Sequence, residues 1–191
     1  MKRRVFLCLL FCGVLTISGC TMSNQANSEP PKVDVSINGQ PISVIGAQSE
    51  ESASAANLTN FVELVKNKNI EELPYVDLGD SIELVFDFMP EKDELVVYDR
   101  LLRKTGADKY AKDTMGAINI SLVEKKGMLK IISNPAAMLS SHSEDYEKGK
   151  SIRGFSFSVK SEGKNYIYAF AIRTDAKGKV LPHFQFQGLH L

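Results

Sequence analysis

FSFSVKSEGKNYIYAFAIR, residues 155–173, is the stretch of this 191-residue chain that decides its fold. Phe155, Phe157 and Val159 alternate with Ser156 and Ser158, the period of two expected of a strand with one buried face. Gly163 marks a turn. Residues 165–173 (NYIYAFAIR) then place apolar side chains on both faces, as a central strand covered on two sides would. Two strands with a tight glycine turn between them point to an antiparallel sheet.

The same period recurs on either side. Ile82, Leu84, Phe86 and Phe88 share one face, with Ser81, Glu83 and Asp87 opposite, and Pro90 ends the run. LVVY at 95–98 reads as a short strand. Ile118, Ile120 and Leu122 alternate with Asn119 and Ser121, and Lys125-Lys126-Gly127 predicts a turn into a strand at 128–132. Near the front, Val33, Val35 and Ile37 alternate with Asp34 and Ser36, and Asn38-Gly39 turns the chain toward 42–45. Pro41, which cannot donate to a ladder, suits an edge. Residues 48–56 read as loop, and Phe184 and Phe186 alternate as in a final edge strand. Only Leu58, Phe61, Val62 and Val65 follow helical spacing, with Asn57 placed to cap and Asn67 to end that helix. The expected fold is mainly β: an antiparallel two-layer, immunoglobulin-like sandwich over 33–191 with one short helix near its N-terminal side. The likeness is architectural, since the tryptophan and disulfide of antibody domains are absent.

The chain is 43% apolar and 24% charged, with 23 basic and 23 acidic side chains. That balance excludes a disordered acidic tail and a polybasic nucleic-acid binder. Its distribution is uneven. Lys2, Arg3 and Arg4 precede an apolar run at 5–15 (VFLCLLFCGVL), and no acid occurs before Glu29. A cationic start, an apolar stretch and small residues behind it describe a secretory signal. The run is too short for a bilayer core of about 30 Å, which needs roughly 20 helical residues.

Ile17-Ser18-Gly19-Cys20 closes this segment and resembles the bacterial lipobox, with Ile17 where Leu is commonest. The resemblance implies cleavage between Gly19 and Cys20, S-diacylglycerol on the Cys20 sulfur and N-palmitoylation of the new amino end. Residues 1–19 would be the removed signal, and 20–32 the lipidated cysteine with a polar, proline-ended tether (TMSNQANSEPPK after the cysteine). As a flexible coil that tether spans about 19 Å. Loss of Lys2, Arg3 and Arg4 leaves 20 basic against the 23 acidic groups. Cys8 and Cys12 also depart, so no disulfide, cysteine ligand set or catalytic thiol is expected. The expected location is the extracytoplasmic side of the cell membrane, with the bilayer itself as a partner through acylated Cys20.

His142, His183 and His190 share no metal-ligand spacing, and no cofactor or metal site is expected. Ser140-Ser141-His142-Ser143-Glu144-Asp145 contains the residue types of a hydrolytic triad. A triad, however, needs its members brought together from separate elements, so a polar surface loop is the expectation. No G-x-S-x-G elbow and no phosphate-binding glycine loop occurs. In the segment 98–115, Arg100, Arg103, Lys104, Lys109 and Tyr110 interleave charge with apolar side chains and form a candidate contact surface. The expected role is a non-catalytic anchored binding module for an envelope protein, peptide or polymer, with no enzymatic activity. The alternative is an anchored envelope hydrolase that recruits His142 and Asp145 from separate loops.

Overall fold

A computed structural model describes residues 29–50, 53–55, 59–66, 68–111 and 116–177. The expected signal segment at 1–19, Cys20, Asn57, Leu58 and Asn67 of the helix pattern, and Phe184 and Phe186 lie outside these residues. The elements are β1 (Val33–Ile37), β2 (Gln40–Ile42), β3 (Val44–Gln48), α1 (Thr59–Val65), β4 (Ser81–Phe86), β5 (Glu94–Leu102), β6 (Gly116–Val123), β7 (Lys126–Lys130), α2 (Pro135–Met138), β8 (Ser151–Ser161) and β9 (Lys164–Thr174). No helix among the described residues is long and apolar enough to cross a membrane.

The nine strands form one sheet in the order β2-β1-β4-β7-β6-β5-β8-β9-β3, with every neighbouring pair antiparallel. The mainly β, antiparallel expectation holds, while one continuous sheet stands where a two-layer immunoglobulin-like sandwich was expected. Strands β6 and β7 pair only through Leu122 with Gly127 and Val123 with Lys126, and this short ladder joins the two halves. The sheet is nearly closed and its halves share one core. The Phe86 ring of β4 meets Phe157 of β8 edge-on at 6.2 Å, and Phe155 stacks on Phe170 at 5.2 Å. Ile82, Leu84, Leu129, Phe155 and Phe170 are fully buried there.

The alternation in β4 therefore reads true, β8 puts Phe155, Phe157 and Val159 into the core but is covered on its serine face as well at Ser156, and β9 is covered on both faces. Its Tyr166, Tyr168, Phe170 and Ile172 enter the main core, while Ala169 and Ala171 meet Phe61, Leu64 and Val65 of α1. Small residues are required on that second face. A Cβ on Gly154 would lie 2.6 Å from the Phe61 ring and 2.7 Å from Leu102. Pro41 sits in β2, which is an edge strand.

Several boundaries differ from the sequence reading. Strand β4 ends at Phe86, short of Phe88, and the stretch 42–45 is divided, with Ile42 in β2 beside β1 and Val44 opening β3 beside β9. The β6–β7 turn is made by Glu124 and Lys125, at φ 48° and 67°, and Lys126 already belongs to β7. Strand β5 runs on through residue 102, past the end of the expected strand at Tyr98. The Asp99 and Arg100 side chains are both buried, which is tolerable only because each is paired.

The chain begins its fold at one end of the sheet. Tyr168 donates its hydroxyl to the Pro31 carbonyl at 2.7 Å, and the Asp87 amide donates to the Lys32 carbonyl at 3.2 Å. Pro30 packs at Gly46, where a side chain would strike the Tyr168 ring at 2.8 Å. The β4–β5, β6–β7 and β8–β9 connections share this end, joined by Phe86 to Lys125, Glu91 to Lys160 and Gly163 to Glu91 hydrogen bonds. The opposite end carries residues 131–150, the 70–80 segment and the end of β9, tied by Gly79 to Ile131 and Arg173 to Pro74 backbone bonds.

Candidate functional site

That opposite end concentrates the buried polar groups of the molecule. Arg153, the second residue after Ser151 in β8, donates from Nε to Asp99 Oδ1 at 3.0 Å and from Nη2 to Asp99 Oδ2 at 2.6 Å. The pair is bidentate, with Arg153 1% and Asp99 3% exposed. Arg153 Nη1 reaches the Ile132 carbonyl at 2.7 Å, and Asn134 Nδ2 donates to Asp99 Oδ2 at 2.7 Å. Asn134 Oδ1 in turn accepts from the amides of Ala136 and Ala137, capping α2. One buried ion pair thus fixes where residues 131–138 leave the sheet.

Arg100 points to the other face of β5. It donates to the carbonyls of Ala53 and Ser54, pairs with Asp108 at 3.3 Å and lies 5.7 Å from the Phe61 ring centre. Lys109 bonds both oxygens of Asp145, at 2.7 and 2.5 Å. Ser140 donates to Asp145, and its hydroxyl oxygen accepts from Tyr110 at 3.0 Å and from the His142 amide at 3.1 Å. This network clips the segment after β5 to the segment before β8.

The residues singled out in the sequence fall into two groups. Arg100, Lys109 and Tyr110 are turned into these contacts, while Arg103 and Lys104 remain exposed, Arg103 against the Asp108 and Lys109 carbonyls. The five do not form one continuous surface. Ser140, His142 and Asp145 lie on one short segment, but the serine proton goes directly to the aspartate. The His142 side chain is exposed and makes no cap bond. Nothing in this arrangement places an imidazole between hydroxyl and carboxylate.

Beside the network, Tyr75 donates toward Asp77 at 2.9 Å and Asp175 at 3.1 Å. Burial, and then these two carboxylates, push its hydroxyl well above the ordinary tyrosine value. Glu71 meets Lys150 at 2.9 Å and Arg173 at 2.8 Å, and the Lys150 bond above all lowers its carboxyl pKa. Next to this cluster an open depression of about 490 Å³ is lined by Tyr146, Lys148, Asp175, Ala176 and Lys177. Sequence reasoning passed over all of these residues. The one available signal was a charged pair, Asp99-Arg100, inside an otherwise apolar strand.

No protein-family model matches the chain, and no curated protein is similar to it in sequence. Two solved structures are similar in shape. One is the extended catalytic domain of LPMO9A (also EG4) from Hypocrea jecorina, at 15% identity and a TM-score of 0.41 over 80% of this chain and 77% of that one. The other is Cel61B from Hypocrea jecorina, a glycoside hydrolase family 61 member, at 13% identity and 0.41 over 78% and 82%. These structures are described as a catalytic domain and a glycoside hydrolase family member, so the expected non-catalytic binding module finds no support in them. Of the two residues named for the hydrolase alternative, Asp145 is bonded to Lys109 and Ser140, and the His142 side chain is exposed.

Proposed function

We propose that this chain is exported and held at the extracytoplasmic face of the cell membrane by lipid on Cys20, with the polar end of its sheet presented to envelope material. The observation that carries this is the order of parts at the front: Lys2-Arg3-Arg4, the apolar run, then Ile17-Ser18-Gly19-Cys20. Acyl chains contribute about 0.8 kcal/mol per buried CH₂, so two or three chains on one cysteine hold a domain stably. The point where the chain joins the fold supports the orientation. Pro30 and Pro31 dock at the end of the sheet opposite to residues 131–150. Fully extended, the stretch from Cys20 to Glu29 reaches at most about 30 Å. The docked end therefore stays near the headgroups, and the end bearing Asp145, Lys148 and Lys177 faces outward.

Cys20→Ala tests the reading. The wild-type chain is expected in the membrane pellet, labelled by radioactive palmitate. The variant is expected to lose the label and to leave the pellet after an alkaline wash. Mature-sized variant that stays with the membrane after that wash would refute the anchor.

A further inference from the structure

The outward end holds two ammonium groups that the fold does not neutralise. Lys109 and Lys150 each pair with a carboxylate there, but among the described residues neither Lys148 nor Lys177 has one within salt-bridge distance. Both rest instead on aromatic rings. Lys177 Nζ lies 4.6 Å from the centre of Tyr146, and Lys148 Nζ lies 5.5 Å from that of Tyr75. The carboxylate between them, Asp175, is engaged: Oδ1 accepts from the Gly149 amide at 2.7 Å and Oδ2 from the Tyr75 hydroxyl at 3.1 Å. Tyr146 is 43% exposed, and its hydroxyl is anchored near the carbonyls of Met138 and Ser140 at 2.9 and 2.8 Å. The ring is thus a fixed wall of the depression.

We propose that this depression binds an acidic polysaccharide, a glycan carrying carboxylate or phosphate groups. The two unneutralised cations supply the charge complement. The Tyr146 ring offers a flat apolar face for the C–H side of a sugar. Asp175, with lone pairs left after its two bonds, can accept from sugar hydroxyls. At about 490 Å³ the space lies in the range of ligand sites, and its open side suits a segment of polymer rather than an enclosed small molecule. The inference rests on the anchored reading only in placing the ligand in the envelope. Binding in solution does not need the lipid, so this test and the fractionation of Cys20→Ala fail separately.

The experiment is affinity electrophoresis of the full chain in detergent through gels containing polygalacturonate, phosphorylated dextran, neutral dextran or poly-L-glutamate. Retardation is expected with either acidic glycan at low salt and is expected to vanish near 0.5 M salt, where screening acts within about 4–5 Å. Lys148→Glu with Lys177→Glu should weaken the interaction by at least about tenfold. Tyr146→Ala should weaken it severalfold, and Lys32→Glu, at the opposite end, should leave it unchanged. All these side chains are at the surface, and a melting curve confirms that each variant is folded. Three results would overturn the proposal: no retardation by either acidic glycan, equal retardation of the double variant, or poly-L-glutamate binding as tightly as the glycans.

Discussion

Replacing Asp99 with Ala should be among the most damaging single changes in this molecule, and its cost can be worked from the contacts. Asp99 accepts two hydrogen bonds from Arg153 and one from Asn134, all within a region where the pair is 5% and 1% exposed by side chain. Removing one member of a buried pair leaves the other as an uncompensated charge, which costs about 3–5 kcal/mol. The Asn134 amide loses its acceptor as well, adding about 1 kcal/mol where water does not replace it. The expected loss is about 4–6 kcal/mol, against a total stability of roughly 5–15 kcal/mol. For a chain of this length that lowers Tm by roughly 10–20 °C. Urea unfolding of the purified full chain, followed by far-ultraviolet circular dichroism, measures it. The double variant Asp99→Leu with Arg153→Met removes both charges, and should recover more than half of the loss despite the orphaned Ile132 carbonyl. A single-variant cost below about 1 kcal/mol, or a double variant worse than the single, would refute the claim that this pair organises the polar end.

Phe86→Ala and Phe170→Ala should each cost about 3–5 kcal/mol, because both rings are buried in the shared core; urea melts of each variant check this. Stability should also fall in alkali. The folded chain holds the Tyr75 and Tyr168 protons above the pH at which the unfolded chain releases them, so their contribution is whole below the ordinary value of 10.0 and is lost as pH climbs past it. Urea melts across that range should show a downward slope that Tyr75→Phe makes shallower; an unchanged slope would count against the Tyr75 assignment. His142→Ala should alter stability by less than about 0.5 kcal/mol, as expected for an exposed side chain without a cap bond. A larger loss in the same melts would show that its ring is held by contacts not seen here.

How much of this was legible depends on the range of the interaction. The alternation of Ile82, Leu84 and Phe86, the two-faced covering of β9 and the helical spacing of Phe61 and Val65 are local patterns, and each survives in the structure because burial enforces a fixed period. Turn placement was nearly legible. Gly127 drew the reading of the turn toward Lys126 and Gly127, whereas Glu124 and Lys125 adopt the positive φ although neither is glycine.

What the sequence by itself determined is a chain of alternating strands behind a stretch that is cationic, then apolar, and ends in a cysteine. Hydrophobic period and small-residue spacing are written in consecutive residues and need no partner to be read. Only the tertiary structure decided that the strands join in one nearly closed sheet, because register between strands far apart in sequence leaves no local mark. Only it decided that Asp99 and Arg100 continue a strand. A charge inside a strand looks like a loop until its counter-charge, here Arg153 at 54 residues' distance or Asp108, is seen beside it. The same holds for Lys109 and Lys148: equally basic in sequence, one is neutralised by Asp145 and the other stands over a tyrosine ring. Which cations remain free for a ligand is set by where the folded chain puts its carboxylates.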